Sequence, residues 1–173
     1  MIEYDNLLAT SELQNIELLY NYAWYLSFDD KLANEITLET VSSGLRFMAS
    51  NQNIDNSKFA WFKRIHQIIS KNFAEELKFC WEDGVGMNVL RLEEHPLDAF
   101  IFPPDTLDKL DFESWQICLE NLPMEKRVFI LLNDIEQFNY AQIGEILNIS
   151  VLDVTEHLYL ARQIFHQLLQ KQT

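Results

Sequence analysis

The stretch from 119 to 169, LENLPMEKRVFILLNDIEQFNYAQIGEILNISVLDVTEHLYLARQIFHQLL, constrains this chain more than any other. Its apolar residues recur at helical spacing in three segments, and the last two are only a few residues apart. Tyr140–Leu147 reads as a short helix. Asn148 can take the left-handed conformation that a tight turn needs. Ser150, with Asp153 three residues on, makes a start like a capping box for a long helix. The outline is a helix-turn-helix. Val154, Leu158, Ala161, Phe165 and Leu168 form the expected buried stripe of the last helix, and Ile143, Leu147 and Ile149 complete the buried half of the motif. Leu152, Asp153, Thr155, Glu156 and Tyr159 face outward by the same periodicity.

The rest of the chain also reads as helix. Hydrophobic residues make up 48% of 173, enough for a real core, while Gly and Pro number four each and strand-like alternation is scarce. The fold class expected is all-α. A first helix spans 10–28, capped by Ser11, with Leu13, Ile16, Leu19, Tyr20, Ala23 and Trp24 on its apolar side. A second opens at Asp29 or Asp30 and runs to about residue 49, with a stripe of Leu32, Ile36, Val41, Leu45 and Met48. A third spans 58–79, with Phe59, Phe62, Ile65, Ile69, Phe73 and Leu77 inward. Three such helices joined by short loops make a bundle. Gly84, Gly86, Pro96, Pro103 and Pro104 then cluster in 82–104, the expected linker, whose VGMNVLRL and AFIF segments are apolar enough to dock. Closure of two domains over AFIF would cover Phe100 and Phe102. Helices at 112–122 and 124–133 follow, with Pro123 suited to a helix start. The domains expected are 1–81, a linker at 82–104, and 105–173.

Charge and composition exclude several functions. The formal net charge is −14. Residues 1–78 hold 7 basic and 11 acidic side chains, 79–115 hold 2 and 9, and 116–173 hold 4 and 7, so no section is basic. A protein whose main task is gripping duplex DNA carries a positive face, because phosphate contacts supply most of the affinity. No run of about 18 apolar residues predicts a membrane span, and the acidic N-terminus is unlike a secretory signal. Cys80 and Cys118 read as reduced packing residues of a cytoplasmic protein. Adjacent acids such as Asp29-Asp30, Glu75-Glu76, Glu82-Asp83 and Glu93-Glu94 diverge by about 100° on a helix and form no acid–base couple. His66, His95, His157 and His166 lack metal-ligand spacing, and Gly84-Val85-Gly86 lacks the third glycine of a dinucleotide loop. The chain is expected to be no enzyme, with no cofactor, metal or small-molecule substrate.

Two separated patterns resemble one family in the right order, the small bacterial sigma factors of the extracytoplasmic-function type. Ala33-Asn34-Glu35-Ile36-Thr37-Leu38-Glu39-Thr40-Val41 is similar to that family's AEDLTQETF-like stretch, and Phe59-Ala60-Trp61-Phe62-Lys63-Arg64-Ile65 to its aWLyrI stretch, both in region 2. In region 4, Leu122-Pro123 with Lys126-Arg127-Val128, then Tyr140-Ala141-Gln142-Ile143-Gly144-Glu145-Ile146-Leu147, then Leu160-Ala161-Arg162 resemble the opening, the first motif helix and the closing RAR. The resemblance covers nearly all but the linker. It implies two helical domains and, as partners, RNA polymerase core and/or an anti-sigma protein; the acidic balance and the departures from the family pattern leave DNA bound weakly or only in complex with polymerase. It also implies polymerase or partner contact at Glu35, Leu38, Glu39 and Ser42, where Leu38 replaces a usual Gln.

The departures fall on the DNA-reading positions. In region 2, Ile68, Asn72 and Glu75-Glu76 stand where the family has Asn, Asp and an Arg pair. In the recognition helix, Leu152-Asp153-Val154-Thr155-Glu156-His157-Leu158 stands for gTVksRl, so Asp, Thr, Glu and His replace Thr, Lys, Ser and Arg. A carboxylate can accept from cytosine, but two without a neighbouring cation leave the helix unanchored on phosphates. The outward face thus reads as eroded. From Lys58 to Ala74 there are Lys58, Lys63, Arg64, Lys71 and His66 with no acid, interleaved with aromatics. Trp61, Lys63, Arg64 and Lys71 are candidate contacts to a promoter single strand; the competing reading is core aromatics beside a solvated basic face. The function expected is a sigma-like regulator acting by protein contact, a mimic. The alternatives are a working divergent sigma factor and a phage- or plasmid-type polymerase inhibitor.

Overall fold

The computed structural model describes residues 2–50, 57–77 and 112–171, and among these all regular structure is helical. The chain divides into two compact units, one of residues 1–79 with 144–148 and one of 80–143 with 149–173. The expected linker at 82–104 lies outside the described residues, as do its VGMNVLRL and AFIF segments, Gly84-Val85-Gly86, Cys80, His95 and the 51–56 loop.

In the first unit, α1 spans Ile2–Ser27, α2 Asp30–Ser50 and α3 Lys58–Asn72. α1 begins earlier than expected, so Ser11 lies within the helix rather than at its cap. It stops at Phe28, whose φ of 51° is left-handed and whose N–H donates to the Trp24 carbonyl at 2.6 Å. That conformation is costly for a side chain this size. Edge-on packing of Phe28 against Trp24 and Tyr25 holds it there. Asp29 then caps α2, its carboxylate accepting from the N–H groups of Lys31 at 2.8 Å and Leu32 at 3.0 Å. α3 starts on Ser57, which accepts from Ala60 N–H, and stops at Phe73; the expected helix to 79 is shorter, with Phe73 and Leu77 buried in the following turn.

The buried face of α2 differs from the stripe that hydropathy marks. Ala33, Ile36, Thr37, Thr40 and Gly44 are inside, whereas Leu32 and Val41 are half-buried and Leu45 is 52% exposed. Size decides this face. Thr37 and Thr40 bury their hydroxyls because each donates to a carbonyl of its own helix, Ala33 and Ile36 respectively, at 2.7 Å. Gly44 lets α3 approach so closely that a Cβ there would stand 2.4 Å from the Trp61 ring. Replacing Gly44 by Ala raises helix propensity by about 1 kcal/mol, yet overpacking outweighs it, so a net loss of about 1–2 kcal/mol is expected. Urea unfolding of Gly44→Ala, with and without Trp61→Phe, checks this. The second change should recover part of the loss.

Tyr22, Phe62, Ile65 and Ile69 fill the core with His66, whose Nε2 lies 2.6 Å from the Tyr22 hydroxyl. Burial pulls the His66 pKa down to about 3, so the ring is neutral. Below the ordinary value of about 6.5 the unfolded chain takes up a proton that the folded bundle refuses. Stability from this group is therefore complete above pH 6.5 and lost as pH falls toward 3. The limiting slope is about 1.4 kcal/mol per pH unit. Urea midpoints at pH 7.5, 5.5 and 4.5 for the chain and for His66→Gln measure it: the stability gap between them should narrow with acid, and a constant gap would show that His66 titrates normally.

Further along the chain, α4 spans Phe112–Asn121, α5 Met124–Ile130, α6 Tyr140–Leu147 and α7 Val151–Gln170; of these, residues 144–147 of α6 fall in the first unit and the rest in the second. The helix expected over 124–133 changes character at its end. Leu131–Ile135 forms a π-helical turn, in which Glu136 N–H reaches back to the Leu131 carbonyl at 2.8 Å, and Gln137 follows with φ 59°. Asn139 and Gln142 cap α6 reciprocally, each side-chain oxygen accepting the other's backbone N–H. Val154, Leu158, Ala161 and Phe165 are buried as expected, with Leu168 half-buried, and α7 packs against α4 and α5.

Candidate functional site

The turn that presents α7 follows the sequence closely. Asn148 has φ 57°. Ser150 Oγ accepts the Asp153 N–H at 3.1 Å, while the Ser150 N–H and hydroxyl both donate to Asp153 Oδ2, at 3.2 and 2.7 Å. The capping box therefore lays a carboxylate over the first turn of α7. A helix N-terminus ordinarily welcomes phosphate through its free N–H groups and positive dipole end. Here the protein's own anion holds that position.

Beyond the cap, Val151 is 50% and Leu152 60% exposed, Asp153 is exposed, and Thr155, Glu156 and Tyr159 are half-buried. The Thr155 hydroxyl donates to the Val151 carbonyl at 2.9 Å. The face is apolar and acidic where a groove reader presents donors.

Among the described residues, three of the four Lys and Arg side chains of this unit are buried. Lys126, Arg127, Arg162 and Lys171 are its Lys and Arg residues between 112 and 171, and the first three are buried. Lys126 Nζ lies 2.7 Å from Nδ1 of His157, which stacks flat on Phe129 at 4.9 Å. Burial lowers the pKa of both Lys126 and His157, and the Lys126 charge lowers His157 further. The imidazole is thus the neutral acceptor of the ammonium proton. Arg127 donates to the carbonyls of Glu120 and Leu122, each at 3.0 Å, closing the end of α4. Burial lowers its pKa to about 10, so it stays charged at neutral pH. Arg162 is ion-paired with Asp134 and donates to Asn133 Oδ1 at 2.6 Å. Burial pulls its pKa down, but the hydrogen bond and charge of Asp134 outweigh this and raise it.

The first unit carries the remaining candidates. Glu35 and Glu39, and Leu38 and Ser42, are each four residues apart, and all four lie within about 100° on one face of α2. Leu38 is 70% exposed, and Leu45 continues the row. Glu35 pairs with Lys31 at 3.8 Å, an exposed contact of little energetic weight. Glu39 accepts a hydrogen bond from Asn72 at the end of α3.

The basic and aromatic stretch on α3 separates into two classes. Trp61 is 7% exposed with its ring over Gly44, which corrects the expectation that it offers a face to an unpaired base. His66 leaves the basic set too, being a neutral core residue. Arg64 is turned toward α2, 3.3 Å from Ser43 Oγ and 4.8 Å from the Phe47 ring centroid. Lys63 lies 5.9 Å from the Phe59 ring, and Lys71 is exposed. Among the described residues no helix is long and apolar enough to cross a membrane, and no group of three metal-ligating side chains occurs.

No family model matches the chain, and no curated protein does. Among solved structures it is similar to the co-crystal structure of the sigma factor RpoE in complex with the anti-sigma factor NepR from Bartonella quintana. The TM-score is 0.64 at 16% identity, covering 98% of each chain. The fold is therefore the all-helical fold of a sigma factor, as the region 2 and region 4 resemblance implied.

Sequence reasoning missed the inward cations and the π turn. The partners of Arg162 and Lys126, namely Asp134 and His157, lie far away in sequence, and helical periodicity carries no trace of either pair. Replacing Arg162 by Met leaves Asp134 buried without its counter-charge. The expected loss is about 3–5 kcal/mol, against about 0.5 kcal/mol or less for Glu156→Gln on the outward face. Thermal unfolding followed by circular dichroism separates the two.

Proposed function

We propose that this chain is a sigma-factor-like transcription regulator, not an enzyme, that works mainly by contact with RNA polymerase, an anti-sigma protein, or both. The observation that carries the reading is the charge placement on the helix-turn-helix: Lys126, Arg127 and Arg162 are buried, while Asp153 occupies the helix start and Leu152 and Glu156 stand outward. Duplex affinity depends on phosphate neutralisation, and that face supplies none. The structural neighbour was crystallised with an anti-sigma factor, which supports a partner of that kind. The α2 face of Glu35, Leu38, Glu39 and Ser42 is the surface for polymerase or that partner. The working division is a region 2-like domain at 1–81, a linker at 82–104 and a region 4-like domain at 105–173, in the cytoplasm.

A working but divergent sigma factor is the second reading. Lys63 and Lys71 on α3 favour it, since cations there would assist a melted strand once polymerase supplies most of the affinity. Run-off transcription with purified core polymerase and promoter DNA decides between the two. Binding to core or to an anti-sigma protein without promoter-specific transcript is the expected outcome. Substituting Leu38→Asp should weaken that binding by about tenfold, and promoter-specific transcript would establish the second reading.

A further inference from the structure

We infer that the outward face of α7 docks a cationic amphipathic helix of a partner protein. This rests on the protein-contact reading above and gives that contact a place and a chemistry. Leu152, Glu156, Tyr159 and Gln163 recur at intervals of four, three and four, which puts them in one row along the helix. At its head, Leu152 is 60% exposed on the first turn of a helix whose own core stripe lies on the other side. An exposed leucine there adds nothing to phosphate binding. It is an anchor for apolar side chains when flanked by polar ones.

Charge complementarity selects the occupant. Between 112 and 171 there are eight acids, and Lys171, at the far end of α7, is the exposed cation among the described residues. Glu156 stands one turn from Leu152, and Asp153 adds its charge at the cap. The complementary surface therefore offers Leu- or Ile-like residues to Leu152 and Tyr159, and Lys or Arg to Glu156. A helix suits the row, because ridges spaced by three and four residues interdigitate with ridges of the same spacing. An extended peptide gains affinity by adding to a sheet edge, and no strand occurs among the described residues.

A displayed library of 20-residue helical peptides tests this, with one face randomised among Leu, Ile, Ala, Gln, Glu, Lys and Arg and the full chain as target. Enrichment of apolar, Lys- or Arg-bearing faces is expected. Binding of the winners should fall about tenfold with Leu152→Lys and with Glu156→Lys. It should hold within about twofold for Glu17→Lys and Glu113→Lys, which change the same charge at other exposed positions. Exchanging the peptide's facing cation for Glu should recover affinity for the Glu156→Lys variant. Far-UV circular dichroism confirms that the variants fold. No enrichment, enrichment of acidic faces, or equal loss in all four charge variants overturns the inference. So does tight binding of a 30-base-pair duplex that the winning peptides displace. A chain that makes no promoter transcript yet selects no such helix keeps the protein-contact reading and loses this docking face. A promoter-specific transcript removes the reading itself.

Discussion

The pair Arg162–Asp134 sets the geometry of the second unit. Two charges removed from water each carry a desolvation cost of several kcal/mol, recovered only when geometry and further hydrogen bonds are good. The π turn at Leu131–Ile135 brings two adjacent side chains, Asn133 and Asp134, onto one guanidinium. In a regular helix adjacent residues diverge by about 100°. The widened turn follows a tightly buried run from Val128 to Leu132 and precedes the left-handed Gln137, so the chain leaves α5 in one defined direction. The start of α6 and the course of α7 are tied to the same clamp, since Arg162 also interacts with Tyr140 at the first position of α6.

That clamp also fixes where positive charge can act. A guanidinium held by Asp134 and Asn133 has its donors directed inward and cannot also neutralise a phosphate. The same holds for Arg127 on the α4 carbonyls and for Lys126 on His157. Each of these cations stabilises the unit at the expense of its outward field. The capping box acts in the same direction: the Asp153 carboxylate that secures the start of α7 also repels anions from it. Local stability and the lack of an outward positive field on this helix thus come from the same side chains.

What the sequence disclosed follows from which forces are local. The turn at Asn148, the cap at Ser150 and Asp153, and the Val154–Leu158–Ala161–Phe165 stripe depend on residues within a few positions of each other, and all are in place. The inner face of α2 depends instead on how close α3 can come, and Gly44 beside Trp61 determines that. Hydropathy ranks Leu45 and Val41 above Thr37, Thr40 and Gly44, so it finds Ile36 but turns the rest of the face too far round. Trp61, a candidate contact, and His66, a member of the basic stretch, are both buried for a related reason. A basic stretch implies a solvated face only if its aromatic and imidazole members are outside, and Tyr22, forty-four residues away, draws His66 in. Asn139 with Gln142 is the exception, a local reciprocal cap that the N-x-x-Q spacing contained.

Fold and reading surface are separable in a helix-turn-helix because they occupy opposite sides of one helix. Substitution at Val154, Leu158 or Phe165 opens a cavity and lowers stability by several kcal/mol, whereas substitution at Leu152, Thr155 or Glu156 leaves the core untouched. A scaffold can therefore exchange what its outer face binds without refolding. The sigma-like fold at 16% identity is the expected result of that asymmetry: the buried side is constrained by packing, the outer side only by its partner. With Arg162 turned inward and an apolar, acidic row turned outward, α7 has a surface that repels a polyanion and complements a basic apolar one. The net charge of −14 reinforces both effects at long range and most strongly at low salt.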